Sequence, residues 1–140
     1  MPNWNTAIFE VVGDKPIIDE ILKTGFDFDK IKPEPEDIME QPSVDVKYGK
    51  MDLKSPAWYQ WRLENWGTKW KPTAENNHLV LERVSDIKLK VEMETAWCLP
   101  VEILKFMTLK YPIQIIGTSQ EENDEQPIPF IVEKGAIKGT

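Results

Sequence analysis

The stretch Ile87–Glu94, which reads Ile-Lys-Leu-Lys-Val-Glu-Met-Glu, decides the fold. Apolar and charged side chains alternate along its whole length, which is typical of a strand with one buried face and one face in water. A second apolar run, Leu79–Val84, precedes it, and only Ser85 and Asp86 separate the two. Because so short a connection joins antiparallel neighbours, the sequence predicts a hairpin within an antiparallel sheet.

Further helix and strand signals lie on both sides of this hairpin. Proline stands near the start of each predicted helix, where its missing N–H costs nothing, and glycine or proline follows each end. Asp14 and Ser55 are the expected N-caps of the first two helices. The predicted helices run between Asp14 and Gly25, from Ser55 to about Trp66, and from Pro100 to Lys110; the other predicted strands are Trp4–Val12, 113–116 and Ile128–Val132.

Residues 26 to 55 lack a clear period. Three prolines interrupt this segment, and the overlapping stretch Asp19–Glu40 holds eight acidic residues against three lysines. Phe26 and Phe28 alternate with aspartates like a short extended piece. We therefore predict an irregular acidic excursion that the two phenylalanines dock onto the core.

Without the excursion and the tryptophan-rich helix, the predicted order is strand, helix, strand, strand, helix, strand, followed by one extra C-terminal strand. This order is that of the ferredoxin-like arrangement, an antiparallel sheet with helices on one face. We expect an α+β protein in which residues 1–140 form a single domain with an insertion at about 29–75. Pro129 lacks an N–H, so the last strand, Ile128–Val132, is predicted at an edge, or at least with the Pro129 nitrogen facing away from the ladder; an exposed edge could serve self-association.

The composition excludes several classes of protein. The single cysteine, Cys98, forms no internal disulfide, and the single histidine, His78, supplies no multi-histidine metal site. No apolar run approaches the ~20 residues of a membrane span, and the start of the sequence does not resemble a signal peptide. We expect a soluble, cytoplasmic protein without a membrane partner.

Charge is distributed unevenly. The formal net charge is −7, from 24 acidic and 17 basic residues, yet residues 47–90 hold nine basic groups against five acids. The chain therefore has a basic centre, and its excess acid lies in Asp19–Glu40 and Glu121–Glu125. Solvated acidic faces of this kind are common, and dense ones can imitate the phosphates of nucleic acid.

A series of short motifs follows along most of the chain. The most specific is Glu64-Asn65-Trp66-Gly67-Thr68-Lys69-Trp70; the others are Pro2-Asn3-Trp4, Val12-Gly13, Phe26-Asp27-Phe28, Lys30-Ile31-Lys32-Pro33-Glu34-Pro35, Thr95-Ala96-Trp97 with Pro100, and Tyr111-Pro112. In this order they resemble the YubB-like family of small phage and plasmid proteins, which contain a ferredoxin-like domain and are largely uncharacterised. Asn5 departs from the family pattern, in which a cysteine is expected. The resemblance implies the fold and a mobile-element origin, but no reaction.

The candidate site is the corner after the tryptophan-rich helix. In the interpretation that we favour, Trp66 and Trp70 clamp the helix end onto the sheet, and Gly67 supplies a positive φ. In the other, the rings and cations of the corner form a recognition surface, as in proteins that bind single-stranded nucleic acid. The candidate binding residues are Trp58, Arg62, Asn65, Trp66, Lys69, Trp70 and Lys71.

The sequence predicts no catalytic residue, no metal site and no cofactor. Glu92 and Glu94 belong to the solvated face of a strand, and His78 lies in a turn. Cys98 has no activating neighbour in the sequence and is predicted to be a buried thiol.

We expect a non-enzymatic binding protein that engages a host protein, with a role against host defence. Its predicted surface is the exposed side of Trp58–Trp70 together with the acidic excursion. The alternative is a nucleic-acid-binding protein that uses the Trp/Lys corner at 62–71.

Overall fold

The computed structural model of the chain describes residues 4–73, 75 and 77–139; Pro2 and Asn3 of the first motif lie outside them. Within these residues the protein is a mixed α+β structure with a six-stranded sheet, a separate two-stranded hairpin and four helices. The elements are β1 (Trp4–Val12), α1 (Lys15–Thr24), α2 (Phe28–Ile31), β2 (Val44–Tyr48), β3 (Met51–Ser55), α3 (Ala57–Asn65), β4 (Leu79–Ser85), β5 (Lys88–Ala96), α4 (Val101–Lys110), β6 (Gln114–Glu121), β7 (Ile128–Glu133) and β8 (Ala136–Gly139).

The larger sheet has the strand order β4-β5-β1-β6-β7-β8, and its neighbouring strands are antiparallel. The strand predicted from residues 87–94 is confirmed as β5, and it pairs with β4 across the predicted hairpin. At the centre of the sheet Phe9 lies opposite Val91 on β5 and Gly117 on β6. A Cβ atom at Gly117 would collide with the Ile8 carbonyl and with Phe9, so this close approach requires glycine.

The core lies on one face of the sheet. Phe9 of β1 is buried, whereas its neighbour Ile8 is 43% exposed. Ile18 and Ile21 of α1 and Leu104 of α4 belong to the same buried cluster as Phe9. The helices therefore cover one side, and each large side chain buried there contributes about 1.5–3 kcal/mol. The opposite face is open and carries a mixture of charged and apolar side chains.

The predicted helices are present with small shifts at their ends. Gly25 follows α1 with φ 63°, as expected of a glycine after a helix. The N-cap of α3 is Pro56 and not Ser55, whose Oγ instead accepts a hydrogen bond of 3.1 Å from Gln60 Nε2. No helix in the described part of the chain is long and apolar enough to cross a membrane.

The acidic excursion is more regular than predicted. Phe26 and Phe28 are buried, but Phe28 begins the short helix α2, because the Asp27 carboxylate accepts the Asp29 N–H at 2.9 Å and caps it. Residues 44–55 form the hairpin β2–β3, which turns at Gly49 with φ 64°. Charged cross-strand neighbours lie along one face of this hairpin, and exposed apolar residues such as Met51 lie along the other.

The prediction of an edge strand at Ile128–Val132 is wrong. The segment is part of β7, which pairs with β6 on one side and with β8 on the other. Among the described residues, the pairing with β8 extends from Phe130 to Glu133. Self-association through that strand would require β8 to be displaced.

Candidate functional site

The corner after α3 is held by Trp66, which is 1% exposed. Its Nε1 donates a hydrogen bond of 3.0 Å to the Lys32 carbonyl, and its ring packs edge-on against Phe28. Gly67 follows with φ 84°, and a Cβ atom there would approach the backbone of α4 to 3.0 Å. Trp66 is therefore a buried packing residue, but these contacts join it to Phe28 and Lys32 and not to the sheet as predicted. The prediction that this ring contacts a ligand is wrong because the ring is buried.

The side chain of Arg62 also makes contacts within the protein. Its Nε and Nη2 bind the two carboxylate oxygens of Glu34 at 2.8 and 3.1 Å, and its Nη1 donates to the Lys69 carbonyl at 3.0 Å. The guanidinium lies 4.8 Å from the ring centroid of Trp58 and 5.4 Å from that of Trp66. Both charged side chains are only 15% exposed. Arg62 is thus a structural cation enclosed by two indoles and a carboxylate.

Ion pairs offset much of the charge of the basic centre. Lys71 Nζ binds both oxygens of Asp27, at 3.0 and 3.2 Å. Arg83 binds Asp19, and the pKa of that carboxyl is lowered by its hydrogen bonds to Lys15 and Arg83. Together with Arg62–Glu34, these pairs join acids of residues 19–34 to bases of residues 62–83. The cationic patch that the sequence indicates is largely compensated in three dimensions.

Two tryptophans remain on the surface beside one lysine. Trp70 is 47% exposed and Trp97 is 55% exposed. Lys69 Nζ lies 4.8 Å from the ring centroid of Trp70 and 5.5 Å from that of Trp97. We call Lys69, Trp70 and Trp97 the indole face.

Trp97 was absent from the candidate site residues of the sequence. It follows β5 directly and has φ 75°, a conformation that is strained for a bulky side chain. The feature of the sequence that could have indicated Trp97 as a site residue is its position at the end of the alternating strand, within the motif Thr95-Ala96-Trp97.

A pocket of about 260 Å³ lies below Trp97 and includes Tyr59, Thr68 and Cys98. Cys98 is exposed and not buried as predicted, because it lies in the turn after β5. Its thiol donates a weak hydrogen bond of 3.4 Å to the Gly67 carbonyl. Partial burial, and secondly the charge of Glu121, raise the pKa of this thiol, so Cys98 is a poor nucleophile at neutral pH.

A second pocket, of about 320 Å³, lies where β1 begins and β5 ends; we call it the Trp4 pocket. The rings of Trp4 and His78 stack at 4.6 Å with an interplanar angle of 16°. Glu94 Oε2 lies 3.9 Å from His78 Nδ1, which is too far for a hydrogen bond. The pocket is lined by Trp4, Trp70, Lys71, Pro72, His78, Glu94, Thr95 and Ala96.

The other predicted site residues serve local packing. Asn65 Nδ2 donates to the Trp61 carbonyl at 2.8 Å, and the Trp58 ring is half-buried with its edge against Tyr59. Of the seven predicted residues, Lys69 and Trp70 are those that the indole face retains. Among the described residues, no group of three or more His, Cys, Asp or Glu side chains could hold a metal ion.

No protein-family model, curated protein or solved structure matches this chain. The resemblance to the YubB-like family therefore stays a prediction that rests on the motifs alone.

Proposed function

We propose that the chain is a non-enzymatic binding protein that engages a partner protein through the indole face. The observation that carries the proposal is the exposure of both Trp70 and Trp97, whose ring centroids lie 4.8 and 5.5 Å from the same Lys69 Nζ. Tryptophan is enriched at the centres of protein interfaces because it buries a large apolar area at a small entropic cost. The strained φ of Trp97 fits a ring that is held outward for contact.

A ferredoxin-like domain of mobile-element origin is part of the same proposal. The order β4-β5-β1-β6, with α1 and α4 over one face, supports that fold, to which β7, β8 and the excursion would be additions. The motif resemblance supports the origin, and with it a host protein as the partner and a role against host defence.

The nucleic-acid alternative has weaker support. Stacking on exposed rings together with a lysine suits single-stranded nucleic acid. However, binding to phosphates requires several cations, and Arg62 and Lys71 are paired with carboxylates. Oligonucleotide binding that falls steeply with rising salt would favour this alternative, and its absence at low salt would exclude it.

Capture from a host lysate with quantitative mass spectrometry tests the proposal. We expect the wild-type protein to retain one host protein in stoichiometric amounts, and Trp97→Ala and Trp70→Ala each to lose it. Leu109→Ala is the matched control, since Leu109 is a 70% exposed apolar residue of α4 outside the indole face. The proposal would be contradicted if Leu109→Ala lost as much of the captured host protein as Trp97→Ala does. It would also be contradicted if the wild-type protein captured no specific host protein.

A further inference from the structure

The Trp4 pocket brings together aromatic and anionic side chains. Trp4 and Trp70 contribute two indoles, and Glu94 contributes a carboxylate that is 43% exposed. None of the described residues that line it is an arginine. We propose that this pocket binds an arginine side chain of the partner protein, an inference that rests on the proposed function and names the chemistry of its partner.

Elsewhere in the chain, the same kinds of side chain hold an arginine. Arg62 lies between the indoles of Trp58 and Trp66, and Glu34 binds its guanidinium with two hydrogen bonds. A planar guanidinium stacks on aromatic rings and forms two parallel hydrogen bonds with a carboxylate, so it can bind both kinds of group at once. The indole of Trp70 also accepts a cation already, because Lys69 Nζ lies over it at 4.8 Å.

The charges around the pocket favour a cationic occupant. A neighbouring hollow of about 340 Å³ shares Trp4 and Glu94 with the pocket and adds Glu121 and Glu122. Glu122 Oε1 accepts the backbone N–H of Trp4 at 3.2 Å, which holds this carboxylate at the start of β1. The whole chain carries a net charge of −7, so a basic segment of a partner is attracted over a longer range as well.

Among the described residues that line the pocket, Lys71 is the one lysine or arginine, and its charge is compensated. Both oxygens of Asp27 bind its ammonium, at 3.0 and 3.2 Å, from the side of α2. Lys71 is therefore engaged by Asp27, and His78 Nδ1 lies 3.9 Å from the Glu94 carboxylate, beyond hydrogen-bond distance. An acidic ligand would face Glu94, Glu121 and Glu122 with little positive charge to offset them.

Titration of the protein with the peptide acetyl-Gly-Arg-Gly-amide, followed by NMR of the indole N–H groups, tests the inference. We expect the signals of Trp4 and Trp70 to shift, and that of Trp66 to stay because its Nε1 is bonded to Lys32 within the core. The same peptide with citrulline in place of arginine keeps the shape but not the charge, and it should bind at least about tenfold more weakly. The affinity of the corresponding lysine peptide should lie between those of the arginine and citrulline peptides. Its ammonium carries the charge, but it does not stack on a ring as a planar group or form two parallel hydrogen bonds with a carboxylate.

Glu94→Gln should weaken the arginine peptide about tenfold, the loss expected for one charge-assisted contact. Glu92→Gln is the matched control, because Glu92 lies two residues away on the same face of β5, is equally exposed and does not line the pocket. Both variants retain the sheet if the Trp66 signal is unchanged. Equal binding by the arginine and citrulline peptides, or an equal effect of the two variants, would overturn the inference; tighter binding of an aspartate peptide would assign the pocket to an acidic partner instead.

The two proposals fail in distinguishable ways. If a host protein is captured in a Trp97-dependent manner while the arginine peptide does not bind, the proposed function stands and the arginine site is refuted. If the peptide binds at Trp4 and Trp70 while no protein is captured, the site stands and the host-protein proposal is refuted.

Discussion

Replacing Arg62 with methionine should destabilise the protein by about 2–3 kcal/mol. Methionine keeps an unbranched stem between Trp58 and Trp66 but removes the charge and three hydrogen bonds. Glu34 then remains as an unpaired carboxylate that is only 15% exposed. Breaking a fully buried pair costs about 3–5 kcal/mol, and the remaining contact of both groups with water lowers this figure.

A double-mutant cycle isolates the pair. Glu34→Gln should cost about 1–2 kcal/mol, because the amide oxygen still accepts one bond from Arg62. The double variant should be more stable than the sum of the single effects predicts, with a coupling energy of about 1–2 kcal/mol. Urea unfolding at pH 7, followed by tryptophan fluorescence, measures all four proteins, and equal m-values would show that the unfolded states are comparable.

Additive single effects, within about 0.5 kcal/mol, would refute the assignment of Arg62 to the fold. The cycle also separates the two interpretations of the corner. If Arg62 were a ligand contact, Arg62→Met would keep its stability and lose binding instead. We expect instead that Arg62→Met lowers the stability of the fold.

Three further predictions concern other parts of the chain. Gly117→Ala should cost at least about 2 kcal/mol in urea unfolding, because its Cβ would collide with the backbone of β1, whereas Gly139→Ala should be neutral since nothing lies within 4 Å. The pKa of Asp19 is lowered in the folded protein, so its ion pairs stabilise the fold above pH 3.8, the ordinary pKa of the group, and this stabilisation is lost as the pH falls further; Asp19→Asn should therefore flatten the dependence of stability on pH below that value, as measured by urea unfolding at a series of pH values. Because burial and the charge of Glu121 raise its pKa, Cys98 should react with iodoacetamide at pH 8 more slowly than free cysteine, and Glu121→Gln should speed the reaction; an unchanged rate would contradict the assigned influence of Glu121.

The hairpin β2–β3 shows where prediction from sequence failed. Its apolar residues alternate over only five positions on each strand, and prolines and acids just before it indicate an irregular segment. Such a short pattern is a weak signal, and a two-stranded hairpin is marginal in isolation. The turn at Gly49 was the clue available in the sequence.

The candidate site was predicted only in part. Lys69 and Trp70 were found because they follow a helix-ending glycine, whereas Trp4 and Glu94 were assigned to strands without a shared pocket. Their meeting depends on β1 and β5 being neighbours, which no local pattern specifies.

The sequence by itself determined the periodic elements: the alternating strand β5, the helices α1, α3 and α4, and the glycine turns at Gly25 and Gly67. These follow from local sterics and from the spacing of apolar residues, which act within a few positions of the chain. Only the tertiary structure decided which charges cancel and which rings are exposed. Arg62 meets Glu34 across 28 positions and Lys71 meets Asp27 across 44, so the apparent basic centre becomes a set of ion pairs. Side-chain pairing over such separations depends on the path of the whole chain, and that path is what leaves Trp70 and Trp97 at the surface.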